Sequence, residues 1–296
     1  MLKLIKKIIP EVIKNKIKSK LKKSKFNDFK KTSIILTKTD LIAGIKKAGI
    51  KKGDILFIHS SLKGLGYIEN GPQTIIDAFK SVIGKEGTLI FPVFTIDMTM
   101  EKTLLSDSVF CPKTSPSTVG AISNYFLKND FVFRSLHPTH SVAAWGKHAE
   151  FITKNHHTAN SNFGKDTPFG RFLELNGKLL GLGIKYDNVT FYHTYEDLNL
   201  YKFPEVYLPQ PFKTTIKNHD DKNIQMAVLC HNPEFHKTRI EKDATIELFF
   251  SNYFEKNNIS SKTKIGQGFL WWMQAEDVIN SLDLLYKQGK TIYKIK

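Results

Sequence analysis

The stretch that decides the fold is KLLGLGIKYDNVTFYHTYE, residues 178–196. Its first seven residues are mostly leucine, isoleucine and glycine, which predicts a buried strand. A helix is predicted directly afterwards, with Asp187 or Asn188 as its N-terminal cap. A strand that runs into the N-terminus of a helix is typical of open α/β sheets, which place their binding sites at this edge.

Three polar side chains of the predicted helix, Thr190, His193 and Glu196, recur at intervals of three residues. This spacing places them on nearly one face of the helix. A carboxylate one turn from an imidazole holds one tautomer of the ring and raises its basicity, as a general base requires. A surface His–Glu pair on an ordinary helix is the alternative that the spacing alone leaves open.

Apolar and amphipathic runs on both sides of this stretch predict further strands and helices. The strands are predicted at residues 54–58, 88–94, 214–216, 224–229 and 291–295, and the helices at residues 41–48, 71–83, 119–127, 167–175, 244–254 and 275–285. No repeat, low-complexity linker or change of composition interrupts residues 37–296. They are therefore predicted to form one domain, preceded by an arm at residues 1–36.

The composition indicates a globular protein of the cytoplasm. The 296 residues are 41% hydrophobic, which is enough for a large core. Cys111 and Cys230 lie far apart and match no zinc or redox spacing, which indicates buried thiols in a reducing compartment. No apolar run is long enough to span a bilayer, and the N-terminus lacks the pattern of a secretory signal.

The net charge of +16 is concentrated in the arm. Residues 1–31 hold twelve lysines against Glu11 and Asp28, a net charge of +10. Apolar residues recur there at intervals of three and four, which predicts a basic amphipathic helix. Such a helix binds an anionic membrane surface, here the inner face of the plasma membrane, or packs on its own domain or a partner. Nucleic acid is not an expected partner, because the arm has no arginine and only two aromatic residues.

Two further stretches combine polar residues with neighbouring apolar runs. HSSLKGLG, residues 59–66, follows the first predicted strand, and its small residues let backbone amides approach a phosphate. RSLHPTHS, residues 134–141, lies between two short apolar runs, and either a ligand or internal hydrogen bonds would explain its polar side chains. His156 and His157 are predicted to lie in a solvated surface loop.

Taken together, these stretches resemble the aminoglycoside 3-N-acetyltransferase family, the antibiotic N-acetyltransferases that use acetyl-CoA. The resemblance runs from about residue 39 to residue 290, and each of its motifs is short. The motifs, in order, are His59-Ser60-Ser61-Leu62 with Gly66, Gly87-Thr88-Leu89 with Pro92, Gly120-Ala121-Ile122-Ser123, Arg134-Ser135 with His137-Pro138 and Ser141, Pro168-Phe169-Gly170-Arg171, and Asp187 with Thr190, His193 and Glu196. The ordered set is specific to the family.

The resemblance implies an α/β/α sandwich around a central mixed sheet, unrelated to the common GNAT-type acetyltransferase fold. It implies acetyl-CoA as the cosubstrate, His193 and Glu196 at the reacting centre, and no metal. It also implies a set of residues along the CoA side, namely Ser60, Ser61, Leu62, Arg134, Ser135, His137 and Ser141.

In such a reaction His193 takes a proton from the attacking amine, while Glu196 or Asp187 orients the imidazole. Thr190 or backbone amides would hold the oxyanion. Neither cysteine occupies a motif, which favours direct transfer over an acyl-enzyme. A zinc site that uses His193 and Glu196 is the competing interpretation, and the local sequence offers no convincing third ligand.

The expected acceptor is the amine of an amino sugar. A polycationic drug needs an acidic pocket, whereas the domain is mildly basic and has few acidic clusters. An amino sugar of a surface-polysaccharide precursor is therefore the first expectation. The alternatives are an aminoglycoside, with antibiotic resistance as the result, and a non-catalytic membrane-associated binding protein.

Overall fold

A mixed seven-stranded sheet forms the centre of the protein. The computed structural model describes residues 24, 28–96, 98–187, 189–239 and 244–293, with the backbone alone at residues 244–249. The strands of the sheet are β2 (Ile55–Ser60), β4 (Thr88–Pro92), β5 (Phe133–Arg134), β6 (Val142–Gly146), β7 (Lys178–Leu182), β10 (Ser261–Ile265) and β11 (Gly268–Gln274). Their spatial order is β10-β11-β7-β2-β4-β6-β5. The central strands β7, β2 and β4 run parallel, and antiparallel strands flank them on both sides.

Two small sheets, ten α-helices and a helical turn at residues 28–32 accompany the central sheet in the described chain. The small sheets pair β1 (Ile35–Leu36) with β3 (Tyr67–Ile68) and β8 (Phe212–Lys217) with β9 (Asn223–Val228). The helices are α1 (Lys38–Lys47), α2 (Pro72–Ile83), α3 (Met100–Leu104), α4 (Ala121–Phe126), α5 (Ala149–Thr153), α6 (Pro168–Glu174), α7 (His193–Leu198), α8 (Pro233–His236), α9 (Ala244–Lys256) and α10 (Ala275–Lys287).

The helices cover both faces of the sheet and bury one apolar core on each. Side chains alternate between the faces of a strand, so Leu56 belongs to the core under α1, α2 and α4. Its neighbour Phe57 belongs to the other core, under α5, α6, α7 and α10. Each fully buried side chain of this size contributes about 1.5–3 kcal/mol to folding. The predicted α/β/α sandwich around a mixed sheet is confirmed.

The three parallel strands end at one edge, where Leu182, Ser60 and Pro92 lie side by side. The Ser61 N–H donates to the Leu182 carbonyl over 2.9 Å, which draws the loops after β2 and β7 together. Gly183 has a φ of +66°, and a Cβ atom on it would lie 2.6 Å from the Ser61 carbonyl oxygen. Only glycine meets both conditions, so the glycine after β7 is a requirement of this close approach.

The hairpin of β10 and β11 was not predicted, although it completes one side of the sheet. Its turn contains Gly266, which has a φ of +59°. β11 pairs antiparallel with β7 and buries Trp271 against Gly181, where a Cβ atom would lie 2.1 Å from the indole. The closing strand predicted at residues 291–295 is reduced to a single bridge between Tyr293 and Arg239 within the described residues.

Most of the basic arm lies outside the described residues, and with it most of the predicted amphipathic helix. The part that is described, residues 28–36, packs on the domain: residues 28–32 are helical, and β1 pairs with β3. In the part of the chain that the structure describes, no helix has the length and apolar character to cross a membrane. Cys111 and Cys230 are buried free thiols, as predicted.

Candidate active site

His193 and Glu196 form a buried pair at the start of α7. The loop after β7 leads into a 3-10 turn at Thr190–Tyr192, and α7 begins directly afterwards at His193. The interval of three residues brings the His193 Nδ1 atom to 2.8 Å from Glu196 Oε2. The two side chains are only 5% and 3% exposed, so the alternative of a surface ion pair is wrong.

The environment of His193 favours the neutral imidazole. Burial holds the pKa of His193 well below its usual value, and the positive charges of Arg239 and His236 lower it further. Because Glu196 accepts at Nδ1, we place the ring proton on Nδ1, which leaves the lone pair on Nε2. The pair therefore presents a proton acceptor at neutral pH, oriented by a carboxyl group.

Glu196 is held by a second donor. The Tyr293 hydroxyl donates to Glu196 Oε2 over 2.8 Å from the C-terminal segment. Burial raises the pKa of Glu196, and the hydrogen bond from Tyr293 and the charge of Arg239 oppose that rise. Two donors on one oxygen fix the orientation of the carboxyl group and, through it, that of the imidazole.

The acceptor nitrogen of His193 faces an arginine that sequence reasoning missed. Arg239 Nη1 lies 3.0 Å from His193 Nε2 and 3.2 Å from His236 Nε2. The guanidinium therefore donates to the lone pair that a general base uses. Arg239 is 46 residues from His193 in sequence, so no local spacing indicates this contact.

His231 supplies the third potential metal ligand that the local sequence lacks. One ligand atom each from His193, Glu196 and His231 lies within 4.8 Å of the others. Two imidazoles and a carboxylate are a donor set that zinc accepts. However, Arg239 already donates to His193 Nε2, and a guanidinium beside a metal position repels the ion. The side chains present therefore fit a metal poorly.

Two adjoining cavities open at the carboxyl edge of the central strands. The larger has a volume of about 770 Å³, and Ser60, Ser61 and Leu62 belong to its lining. The smaller, of about 610 Å³, shares Ser60 and Ser61 and is also lined by Thr190, three residues before His193. The structure thus brings these predicted residues to two cavities that share Ser60 and Ser61, and Thr190 relates the smaller one to the chain segment of the pair.

The structure does not bring the other four residues predicted along the CoA side to these cavities, and their role stays a prediction. Arg134, Ser135, His137 and Ser141 are buried and line neither cavity. The Arg134 guanidinium donates to Ser141 Oγ and to backbone carbonyls. Ser135 Oγ contacts His156 Nδ1 at 2.9 Å, and His137 accepts from two backbone N–H groups. Internal hydrogen bonds, the alternative left open for this stretch, explain its polarity.

The predicted N-terminal cap of α7 also needs correction. Asp187 does not cap it: the cap positions are Val189 for the 3-10 turn and Tyr192 for α7, and neither provides a side-chain cap. Asn188, the other predicted cap, lies outside the described residues. The imidazole is oriented by Glu196, through Nδ1. Thr190 faces the smaller cavity, and its N–H donates to His59 Nε2 over 3.1 Å.

Comparison with known proteins identifies a family that the chain matches. A family model described as aminoglycoside 3-N-acetyltransferase matches residues 57–285. Aminoglycoside N(3)-acetyltransferase III of Acinetobacter baumannii is 34% identical over 169 residues, 53% of this chain and 59% of the relative. The YokD protein of Bacillus subtilis, described as aminoglycoside N(3')-acetyltransferase-like, is 29% identical over 56% of this chain and 66% of its own length. The chain therefore matches about three fifths of these curated relatives.

Solved structures agree over a longer range. The apoenzyme of aminoglycoside acetyltransferase AAC(3)-IVa has a TM-score of 0.70 at 25% identity and covers 90% of this chain and 93% of its own. AAC-IIIb in a binary complex with CoASH has a TM-score of 0.70 at 20% identity, over 86% and 98% of the two chains, which shows a shared fold. The resemblance predicted from the ordered motifs is confirmed, and the chain belongs to the aminoglycoside 3-N-acetyltransferase family.

Proposed function

We propose that the chain transfers the acetyl group of acetyl-CoA to an amine of an aminoglycoside, with His193 as the general base. The observation that carries this proposal is the buried pair of His193 and Glu196, with a neutral imidazole whose Nδ1 is held by a carboxyl group. Family membership supports the reaction class, and the CoASH complex of AAC-IIIb supports the cosubstrate.

The reaction proceeds by direct attack of the amine on the thioester carbonyl. As the C–N bond forms, the nitrogen becomes strongly acidic, and His193 Nε2 takes its proton. The tetrahedral intermediate then collapses, the C–S bond breaks, and the CoA thiolate leaves and takes up the proton. We assign stabilisation of the oxyanion to the Thr190 hydroxyl, because Thr190 lines the smaller cavity. Burial raises the pKa of Cys230 to about 11, which makes that thiol a poor nucleophile and supports direct transfer.

Arg239 sets a condition on this reaction. Its guanidinium occupies the lone pair of His193 Nε2, so it must withdraw before the nitrogen accepts a proton. The free amine of an acceptor, the form that attacks the thioester, also donates an N–H group to this lone pair. We therefore propose that the acceptor amine replaces the guanidinium at His193.

The comparisons favour an aminoglycoside over the amino sugar of a polysaccharide precursor, which was the first expectation from the sequence. The curated relatives are named aminoglycoside N(3)-acetyltransferases, and AAC(3)-IVa has been solved with a gentamicin and with apramycin. The amino sugar stays as a second candidate because of one observation. The carboxyl group of Asp197, next to Glu196, already accepts hydrogen bonds from the Phe163 N–H and the Tyr207 hydroxyl, and Arg239 adds a positive charge. Both features disfavour a polycationic acceptor.

An acceptor panel separates the two candidates. With acetyl-CoA, we expect release of the CoA thiol in the presence of gentamicin or apramycin at a rate at least tenfold above that with sugar nucleotides carrying a free amine. Thiol release without acceptor is the background control. Acetylation of the sugar nucleotides but not of the aminoglycosides would instead make the amino sugar the acceptor.

Removal of metal is expected to change nothing. Because Arg239 occupies the position beside His193 Nε2, acetyl transfer should keep its full rate after dialysis against EDTA, and the melting temperature should be unchanged. Metal analysis of the purified protein is the direct control. Activity that disappears on chelation and returns with Zn²⁺ would instead make His193, Glu196 and His231 a metal site.

A further inference from the structure

The arm reaches the larger cavity. Phe29, in the helical turn at residues 28–32, lines the cavity of about 770 Å³ together with Ser60, Ser61 and Leu62. The same cavity is bounded by Gly120 and Ala121 at the start of α4. The motifs of the family begin after this turn. Phe29 therefore lines the cavity from a segment that lies outside those motifs.

Backbone pairing fastens this turn to the cavity. The Tyr67 N–H donates to the Ile34 carbonyl over 3.1 Å, and the Glu69 N–H donates to the Leu36 carbonyl over 3.0 Å. These bonds join β1, which follows the turn, to β3, which lines the cavity. Lys30 Nζ lies 4.8 Å from the centre of the Tyr67 ring, a cation–π contact that holds the turn from the side.

The charge at this end of the cavity is positive. Lys63 belongs to the lining of the larger cavity, and Lys30 and Lys31 line a shallower one of about 470 Å³ at the same turn. Among the described residues, no carboxylate lines either cavity. Asp28 and Glu69 are exposed nearby and offset part of this charge. Lysines at the rim of an apolar cavity are suited to a ligand with one apolar part and one anionic part.

We infer that the turn at residues 28–32 is part of the cofactor site and holds the nucleotide end of CoA. Phe29 offers a ring for the adenine, and Lys30 and Lys31 offer cations for the phosphates. This inference rests on the proposed use of CoA. It gives the described end of the basic arm a role in cofactor binding, separate from any contact of residues 1–23.

The test compares two acetyl donors. Acetyl-CoA carries the nucleotide, whereas acetyl-pantetheine has the same thioester without adenine or phosphates. The double variant Lys30→Gln/Lys31→Gln is expected to raise the KM for acetyl-CoA about tenfold, as loss of one or two ionic contacts implies, with kcat unchanged. The KM for acetyl-pantetheine should stay at the wild-type value. Lys46→Gln/Lys47→Gln, two exposed lysines at the end of α1, is the matched control.

Phe29→Ala should weaken CoA binding in the same direction, and Phe29→Tyr, which keeps an aromatic ring, should restore it. Calorimetric titration with CoA gives the Kd of every variant without any turnover. An unchanged Kd in the double lysine variant, or an equal rise in KM for both donors, would overturn the inference. If the wild-type protein transfers no acetyl group but CoA still binds more weakly to the double variant, the proposed function fails and this inference stands.

Discussion

Replacement of His193 by alanine is expected to lower kcat for acetyl transfer by about two to four orders of magnitude, the usual contribution of a positioned general base. The loss falls on kcat because the imidazole acts on the proton that is released as the C–N bond forms. CoA binding should be nearly unchanged, since His193 lines neither the larger nor the smaller cavity. Steady-state kinetics and calorimetry with CoA measure the two effects separately.

Two further variants make this test specific. Glu196→Gln should cost less than His193→Ala, because the amide oxygen still accepts from His193 Nδ1 and the imidazole is retained. His148→Ala, at the opposite edge of the sheet after β6, should leave kcat unchanged. Wild-type turnover in the His193→Ala variant would remove His193 from the mechanism.

Acid is expected to unfold this protein well above the pH at which exposed carboxylates titrate. Burial lowers the pKa of His59 and of His137 to about 4. Burial also holds four more histidines well below their usual pKa, namely His140, His156, His193 and His231. An unfolded chain binds protons on all of them near pH 6.5, whereas the folded protein does not. Stability is therefore fully present above pH 6.5 and is lost as the pH falls from 6.5 towards 4.

The expected size of this effect is large. Between pH 8 and pH 5.5, each such histidine lowers the free energy of unfolding by about 1.4 kcal/mol. Asp197 acts in the opposite direction, because burial raises its pKa to about 7, and Glu196 does the same. Six histidines against two carboxyl groups leave a net loss of several kcal/mol, a large part of the stability of an ordinary domain. Urea unfolding at pH 8, 6.5 and 5.5 measures it, and a constant midpoint would contradict the burial of these rings as neutral imidazoles.

The central strands and the pair of His193 and Glu196 were predictable because their determinants are local. The apolar run at residues 178–184 is by itself typical of a buried strand. An interval of three residues places His193 and Glu196 on the same face of a helix. The hairpin at residues 261–274 was harder, because alternating residues on both sides of Gly266 show a strand only when the partner, β7, is known. Membership of the sheet is a long-range property.

The rest of the site depends on contacts between distant segments. Arg239, His231 and Tyr293 reach the pair from loops that sequence spacing does not connect to His193. His156 was predicted on the surface because its neighbours are polar, yet it is fully buried and is held by Ser135 and by the Asn162 carbonyl. The sequence alone does not show whether a polar residue in a motif binds a ligand or another side chain.

The most direct test of the central claim is the product of one reaction. Purified protein is mixed with acetyl-CoA and gentamicin, and the product is analysed by mass spectrometry and NMR. We expect one acetyl group per drug molecule, on the nitrogen at carbon 3. The wild-type protein should form this product, and the His193→Ala variant should form it at a rate lower by orders of magnitude. Unmodified drug after prolonged incubation with folded, CoA-binding protein would contradict it.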